Sequence, residues 1–398
     1  MKLKKVMLFM LCAVLFSNTF TLNAFSDGYS GEIIPIQSVA VSDNAIMQNV
    51  TAKSAILVEA STSTVIADKN AEKIRPIAHL AKLMTVLITA EQIESGKLNL
   101  DDTVTVSSNA NSKGAPQIWL DVGEKISVDE LLKSITIGNA NDACTALAEK
   151  IGGTEEKFVK LINKRATELG MSDTKFADCT GISENTVSTA YDLSILVKEL
   201  LKFESLTPYF TTWIANVRNN QVELVSTNRL IRTYNGCTGL KSCSSATAGD
   251  SLVATAKRGN MEICVVVLGS NNDDLKFSEA KAVMDYGFTA FEIYEPEFDK
   301  EILSKIKVNN GEKLKTSVKF NNLSNVLIPR GVYPQITYEF ERENSVEAPV
   351  KIGDKVGNIV FSNGDKTILK SNIVIAEKVE KIKMPFAIKR ILFNLLYT

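Results

Sequence analysis

One histidine in 398 residues, His79, is the scarcity that constrains this chain most. A Ser-His-Asp triad built on it would leave no imidazole for any other purpose, and a centre of several histidines is excluded. The six cysteines show no C-x-x-C spacing, so zinc has no convincing ligand set, and neither a metal nor a cofactor is expected. Neither sign of charge is in excess: 45 Lys and Arg stand against 46 Asp and Glu, a formal net charge of -1. No basic stretch is interleaved with aromatics, which argues against a nucleic-acid partner.

What is present begins at the N-terminus. Lys2, Lys4 and Lys5 precede an apolar run from Val6 to Phe16, and small or polar residues follow up to Ala24. That is the pattern of a secretory signal peptide over residues 1–24, with an uncleaved membrane anchor as the alternative. Its removal leaves Cys144, Cys179, Cys237, Cys243 and Cys264, an odd number, so at least one thiol has no partner within a monomer. Cys144 and Cys264 read as small core residues, and a Cys237–Cys243 disulfide stays open. Unpaired thiols in a secreted chain fit a reducing or anoxic habitat.

Three short segments carry chemistry. The first is His79-Leu80-Ala81-Lys82, entered from Arg75-Pro76 and followed by an apolar, helix-favouring run that closes at Gly96. Residues three apart on a helix share a face, so position 79 lies within reach of the lysine. The second, Asn139-Ala140-Asn141, follows a helix that Ser127-Val128-Asp129-Glu130 should open as a capping box. The third is Lys241-Ser242-Cys243, just before a hairpin pattern running from Leu252 to Lys257 and from Met261 to Leu268. Between the second and third, Ser188-Thr189-Ala190-Tyr191-Asp192 opens another helix.

In order and surroundings these segments resemble the S-x-x-K, S-x-N and K-T-G motifs of penicillin-binding proteins, specifically the D-alanyl-D-alanine carboxypeptidases that trim peptidoglycan stem peptides. The resemblance implies an α+β fold: a β-lactamase/transpeptidase-like domain, antiparallel sheet with a helical cluster and the site in the cleft between, followed by a small all-β domain. It also implies a serine at position 79 that attacks the penultimate D-alanine carbonyl, with Lys82 as proton acceptor.

Each motif departs from that pattern. His79 replaces the nucleophile, Asn139 replaces the proton-relay hydroxyl, and Cys243 adds a side chain where glycine lets substrate approach the strand. Lys82 is left without a hydroxyl to activate and is expected as a buried ammonium held by Asn141 and backbone carbonyls. Asn141 can still bind a substrate carbonyl, and Lys241 with Ser242 can still attract a terminal carboxylate. Three readings follow: a non-catalytic relative binding the D-Ala-D-Ala end of stem peptides or a wall-enzyme partner; an enzyme with weak residual activity, in its sharpest form a Cys243/His79 thiolate-imidazole pair; and a purely structural surface protein. The first is favoured by the retained Lys241-Ser242 pair. All three are extracytoplasmic.

Residues 45–295 are expected to form the carboxypeptidase-like domain that the resemblance implies, and its strands at both ends should share one sheet. From 300 to 378 come short alternating segments, with Asn363-Gly364 as a hairpin signal, read as the β-domain. The last segment, 384–398, sets Phe386, Ile388, Ile391, Leu392 and Phe393 against Lys389 and Arg390. It is too short to span a bilayer, and its pattern suits an amphipathic helix lying on a membrane surface.

Overall fold

The computed structural model describes residues 45–385, 387 and 388. The signal segment 1–24 lies outside these residues, as does all of 384–398 except Met384, Pro385, Ala387 and Ile388.

The architecture is α+β. Strands β1 (Ser54–Glu59) and β2 (Thr64–Lys69) open the first part; β3 (Cys237–Ser245), β4 (Gly249–Arg258) and β5 (Met261–Ser270) close it. They form one five-stranded sheet in the order β2-β1-β5-β4-β3, with every neighbour antiparallel. Residues of β1 are buried throughout because successive side chains point to opposite faces and both faces are covered. Ile56 and Val58 enter the core beneath the helices, whereas Ala55 and Leu57 pack towards the C-terminal helix of this part.

Between the two strand groups lie α1 (Lys82–Glu94), α2 (Val128–Thr136), α3 (Asn141–Gly152), α4 (Glu155–Glu168) and α5 (Ala190–Leu200). Every residue of α1 from Lys82 to Ala90 is buried, as expected of a helix apolar on all sides that runs through a core. Capping fixes where the others begin. Ser127 Oγ accepts from Glu130 N at the head of α2, and Thr189 Oγ1 accepts from Asp192 N at the head of α5. The last helix before the β-domain, α6 (Asp273–Ala290), starts where Asn272 Oδ1 accepts from Leu275 N at 2.8 Å.

One expectation is corrected here. His79 and Lys82 do not share a regular α-helix: Ala78–Ala81 form a 3₁₀ turn, and α1 begins at Lys82. The chain arrives through Arg75-Pro76, paired with Val187-Ser188, and Ala78 adopts a φ of +43°. With three residues per turn, side chains at i and i+3 eclipse, so positions 79 and 82 come closer together than on an α-helix.

The C-terminal part is all β among the described residues, apart from short 3₁₀ turns and the first residues of the terminal segment. Val318–Phe320, Lys366–Ile375, Lys355–Asn363 and Thr337–Arg342 make a four-stranded sheet in that order around Ile359, Phe361, Ile373 and Ile375. Its hairpin turns on Gly364-Asp365, one residue past the expected Asn363-Gly364, with Gly364 at φ +56°. Strand β6 (Phe291–Tyr294) follows α6 without a linker and pairs antiparallel with Val326–Pro329.

Gly181 shows how tightly the entry to α1 is held: at φ +80°, a Cβ there would lie 1.8 Å from the Ala78 carbonyl oxygen. Gly181→Ala should therefore lower stability by more than about 2 kcal/mol. Gly153→Ala, at φ +79° but facing open space, should cost about 1 kcal/mol. Denaturant midpoints of the two variants test the difference.

Candidate functional site

The three segments meet at one cleft of about 500 Å³, lined by His79, Pro116, Asn139, Trp213, Ser226, Thr227, Arg229, Ser242, Cys243, Ser244, Asp273 and Lys276. His79, Asn139, Ser242 and Cys243 therefore converge as the sequence suggests. Lys82, Asn141 and Lys241 are buried and do not line the cleft.

Lys82 Nζ donates to His79 Nδ1 at 2.9 Å and to Thr180 O at 3.0 Å. Nδ1 also lies 3.2 Å from Thr180 O. Toward an ammonium, which has only N–H to offer, Nδ1 accepts and the imidazole proton sits on Nε2; in the other tautomer Nδ1 donates to Thr180 O. Burial, reinforced by the Lys82 charge, holds the imidazole pKa down from 6.5 to about 4. Burial also pulls Lys82 down to about 8 against the opposing effect of nearby thiols. Asn141 does not hold this ammonium, contrary to expectation. Its Nδ2 donates to Gly114 O at 2.8 Å, and its Oδ1 has no partner.

Thr180 belongs to a loop organised by one carboxylate. Asp178 accepts from Thr180 N, Thr180 Oγ1, Gly181 N and Ser183 N. Its neighbour Cys179 accepts through its carbonyl from Thr85 Oγ1 and Cys144 Sγ, both at 3.2 Å. This loop sets Lys82, and nothing in the spacing of its residues announces that role.

Asn139 sits at φ +62° between α2 and α3, a left-handed position that Asn tolerates better than most residues. Its buried Oδ1 is also without a partner. Asn141 opens α3 with its backbone N–H on Pro116 O at 2.7 Å, tying the second segment to the cleft wall.

The third segment lies on β3, the sheet edge, with Lys241, Ser242 and Cys243 opposite Val253, Leu252 and Ser251. Lys241 Nζ donates to Ile135 O at 2.7 Å, away from the cleft; burial, then the neighbouring Lys82 charge, lowers its pKa to about 7. Cys243 Sγ has Ile77 O as its polar contact at 3.9 Å, and burial raises its pKa. The thiol and the imidazole line the same cleft, yet the hydrogen-bond partners of His79 Nδ1 lie elsewhere. All five cysteines of the described residues are free, including Cys237 and Cys243.

The cation at the cleft wall went unrecognised in the sequence. Lys276, in the first turn of α6 and 1 % exposed, donates to Cys243 O at 3.0 Å and Ser244 Oγ at 3.3 Å, and pairs with Asp273 at 2.7 Å. In the run Asp273-Asp274-Leu275-Lys276 it reads as an ordinary solvated helix residue. Arg229 reaches the same helix start through Asp273 and Asp274, both at 2.8 Å.

Comparison with known proteins agrees with this geometry. Residues 38–272 match the family described as D-alanyl-D-alanine carboxypeptidase, and residues 288–381 match the penicillin-binding protein 5 C-terminal domain. The chain is 34% identical over 344 residues to the D-alanyl-D-alanine carboxypeptidase DacF of Bacillus subtilis, covering 85% of this chain and 88% of that protein. It is 31% identical over 342 residues to DacC of Escherichia coli, covering 84% and 85%. Penicillin binding protein 5 from Haemophilus influenzae shares the fold with a TM-score of 0.74 at 24% identity, covering 83% of this chain and 98% of that one.

Because the chain has a single histidine, its imidazole signals can be followed by NMR without assignment. They should titrate with a midpoint of about 4 and not near 6.5. Between those values the unfolded chain binds the proton that the folded chain refuses, so His79 should make stability fall as pH drops from 6.5 towards 4. A midpoint near 6.5 would show that the imidazole is not buried beside the Lys82 charge.

Proposed function

From a chain that belongs to the D-alanyl-D-alanine carboxypeptidase family, we propose a cell-wall protein that holds the D-alanyl-D-alanine end of stem peptides without cleaving it. The observation that carries this reading is the 2.9 Å bond from Lys82 Nζ to His79 Nδ1. With Lys82 charged, this bond selects the tautomer whose proton is on Nε2 and takes up the Nδ1 lone pair with which the imidazole would attack a carbonyl. Loss of the nucleophile in a serine hydrolase removes on the order of a millionfold in rate, and nothing in this cleft replaces it. Cys243 is a poor substitute, since burial keeps its thiol protonated.

Binding groups remain. A terminal carboxylate entering the cleft meets the Ser242 and Ser244 side chains backed by the Lys276 ammonium, and Arg229 stands at the same wall. The unpartnered Asn139 Oδ1 can accept from a peptide N–H. Lys241, with its proton half lost near neutral pH and its Nζ on Ile135 O, acts behind the strand by fixing it to α2.

The same reading places the protein outside the cytoplasm, with residues 1–24 as its export signal and 384–398 as a helix lying on the membrane. A mature chain ending at Lys378 should stay in solution with anionic vesicles that sediment the full-length mature protein; equal sedimentation of the two would remove the membrane contact.

Intact-mass spectrometry after incubation with penicillin should show no adduct, and a pentapeptide ending in D-alanyl-D-alanine should release no D-alanine while giving measurable heat on titration. An adduct at any residue, or release of D-alanine, overturns the non-catalytic reading. His79→Ser alone should regain little acylation. The combination of His79→Ser, Asn139→Ser and Cys243→Gly should react measurably with a chromogenic β-lactam; the Asn139→Ser step alone should lower stability by about 1 kcal/mol because serine suits the left-handed position 139 less well.

A further inference from the structure

The chain has two tryptophans. Trp213 lines the cleft, whereas Trp119 stands outside it with 66 % of its surface exposed. An exposed indole is unremarkable when its backbone is free to move. This one is fixed from every side.

Ile118 N donates to both oxygens of the Asp142 carboxylate at 3.1 Å, and Leu120 N donates to Asp142 Oδ2 at 3.0 Å. Asp142 is itself 1 % exposed, in the first turn of α3 beside Asn141. Arg218 Nη1 donates to the carbonyls of Ile118 and Trp119, each at 3.0 Å. Glu124 holds that guanidinium in turn through two bonds of 2.7 and 2.8 Å. With the Gln117 amide oriented to satisfy both its atoms, its oxygen accepts from Trp119 Nε1 at 2.9 Å. The result is a φ of +55° at Trp119, a region that non-glycine residues avoid. A buried carboxylate and a clamped arginine thus hold a large aromatic residue in a disfavoured conformation, with its ring in solvent. Strain of this kind is found where a site must be pre-shaped.

We propose that Trp119 is a stacking platform for an amino-sugar ring of the glycan strand to which stem peptides are joined. The proposal rests on the stem-peptide reading of the cleft and extends it to the polymer's other component. A pyranose offers a flat face of C–H groups rimmed by hydroxyls and amides; the electron-rich face of an indole takes the C–H groups. The surroundings fit that ligand better than a protein partner, whose interface core would need a cluster of apolar side chains. Ile118 and Leu120 are buried, Val122 is the other exposed apolar residue of this loop, and Asp121 and Lys125 are exposed beside it. The reach also fits. Pro116 of the same loop lines the cleft, and three residues span at most about 11 Å. An extended five-residue stem covers about 17 Å, enough to bring its sugar to the indole while its end occupies the cleft.

The test uses full-length mature protein with two separate probes: glycan strands stripped of peptide by an amidase, and a sugar-free pentapeptide ending in D-alanyl-D-alanine. Stripped strands should bind the wild type, and Trp119→Ala should weaken that binding at least tenfold while changing pentapeptide affinity less than twofold. Trp119→Gly should lose glycan binding to the same degree with a thermal midpoint no lower than wild type, since glycine accepts the positive φ. Failure of wild type to bind stripped strands, equal binding by wild type and Trp119→Ala, or a clear fall in the Trp119→Gly midpoint would each overturn the proposal, the last by making the indole structural. Glycan binding that depends on Trp119 without any pentapeptide binding would uphold this site and refute the reading of the cleft.

Discussion

A buried ammonium with no carboxylate beside it governs the centre of this protein. Lys82 is fully enclosed, and its hydrogen bonds run to an imidazole nitrogen and a backbone carbonyl, both neutral. Charge buried in this way is tolerable only where dipoles are already aimed at it. The Asp178 loop, the 3₁₀ turn before α1 and the close approach of Gly181 to Ala78 all serve to aim the Thr180 carbonyl. In an enzyme of this fold, such an arrangement would keep a lysine ready to take a proton. Here the lysine faces His79 Nδ1 at 2.9 Å in place of a hydroxyl.

The cleft therefore combines preserved shape with altered chemistry. Asn139 and Asn141 each leave a buried carbonyl oxygen unpartnered, a cost that a purely structural interior would be expected to shed. Lys276 is also held between β3 and the head of α6 at a wall where a packed core would suit an apolar residue better. Of these groups, the Asn139 acceptor and the Lys276 cation line the cavity, an arrangement that suits a polar guest better than it suits filler.

Much of this was legible in the sequence because the relevant signals are local. The spacing from His79 to Lys82, the helix starts at Ser127 and at Ser188-Thr189, and the hairpin pattern of Leu252 to Lys257 with Met261 to Leu268 depend on neighbours within a few residues, and each appears in the structure with small shifts. The 3₁₀ turn was not legible, since it depends on Arg75-Pro76 pairing with a strand more than a hundred residues away. Nor was the direction of Lys241: alternation along β3 points it towards α2, and only the packed structure says that Ile135 waits there. Lys276 and Trp119 escaped notice for the opposite reason, as their sequence surroundings are ordinary and their roles come from contacts made by Cys243, Asp142 and Arg218.

The joint between the two parts of the chain has a mechanical consequence. Helix α6 passes into β6 with no intervening loop, and Arg330 fastens the transition through the carbonyls of Phe288, Ala290 and Phe291. Phe291 and Ile293 contribute to one core and Tyr294 to the next, so bending at this point would open both. A flexible tether would let the cleft sample a sphere of positions. This joint instead behaves as a strut of set length, so the distance from the cleft to the far end of the β-domain is a built-in dimension of the molecule.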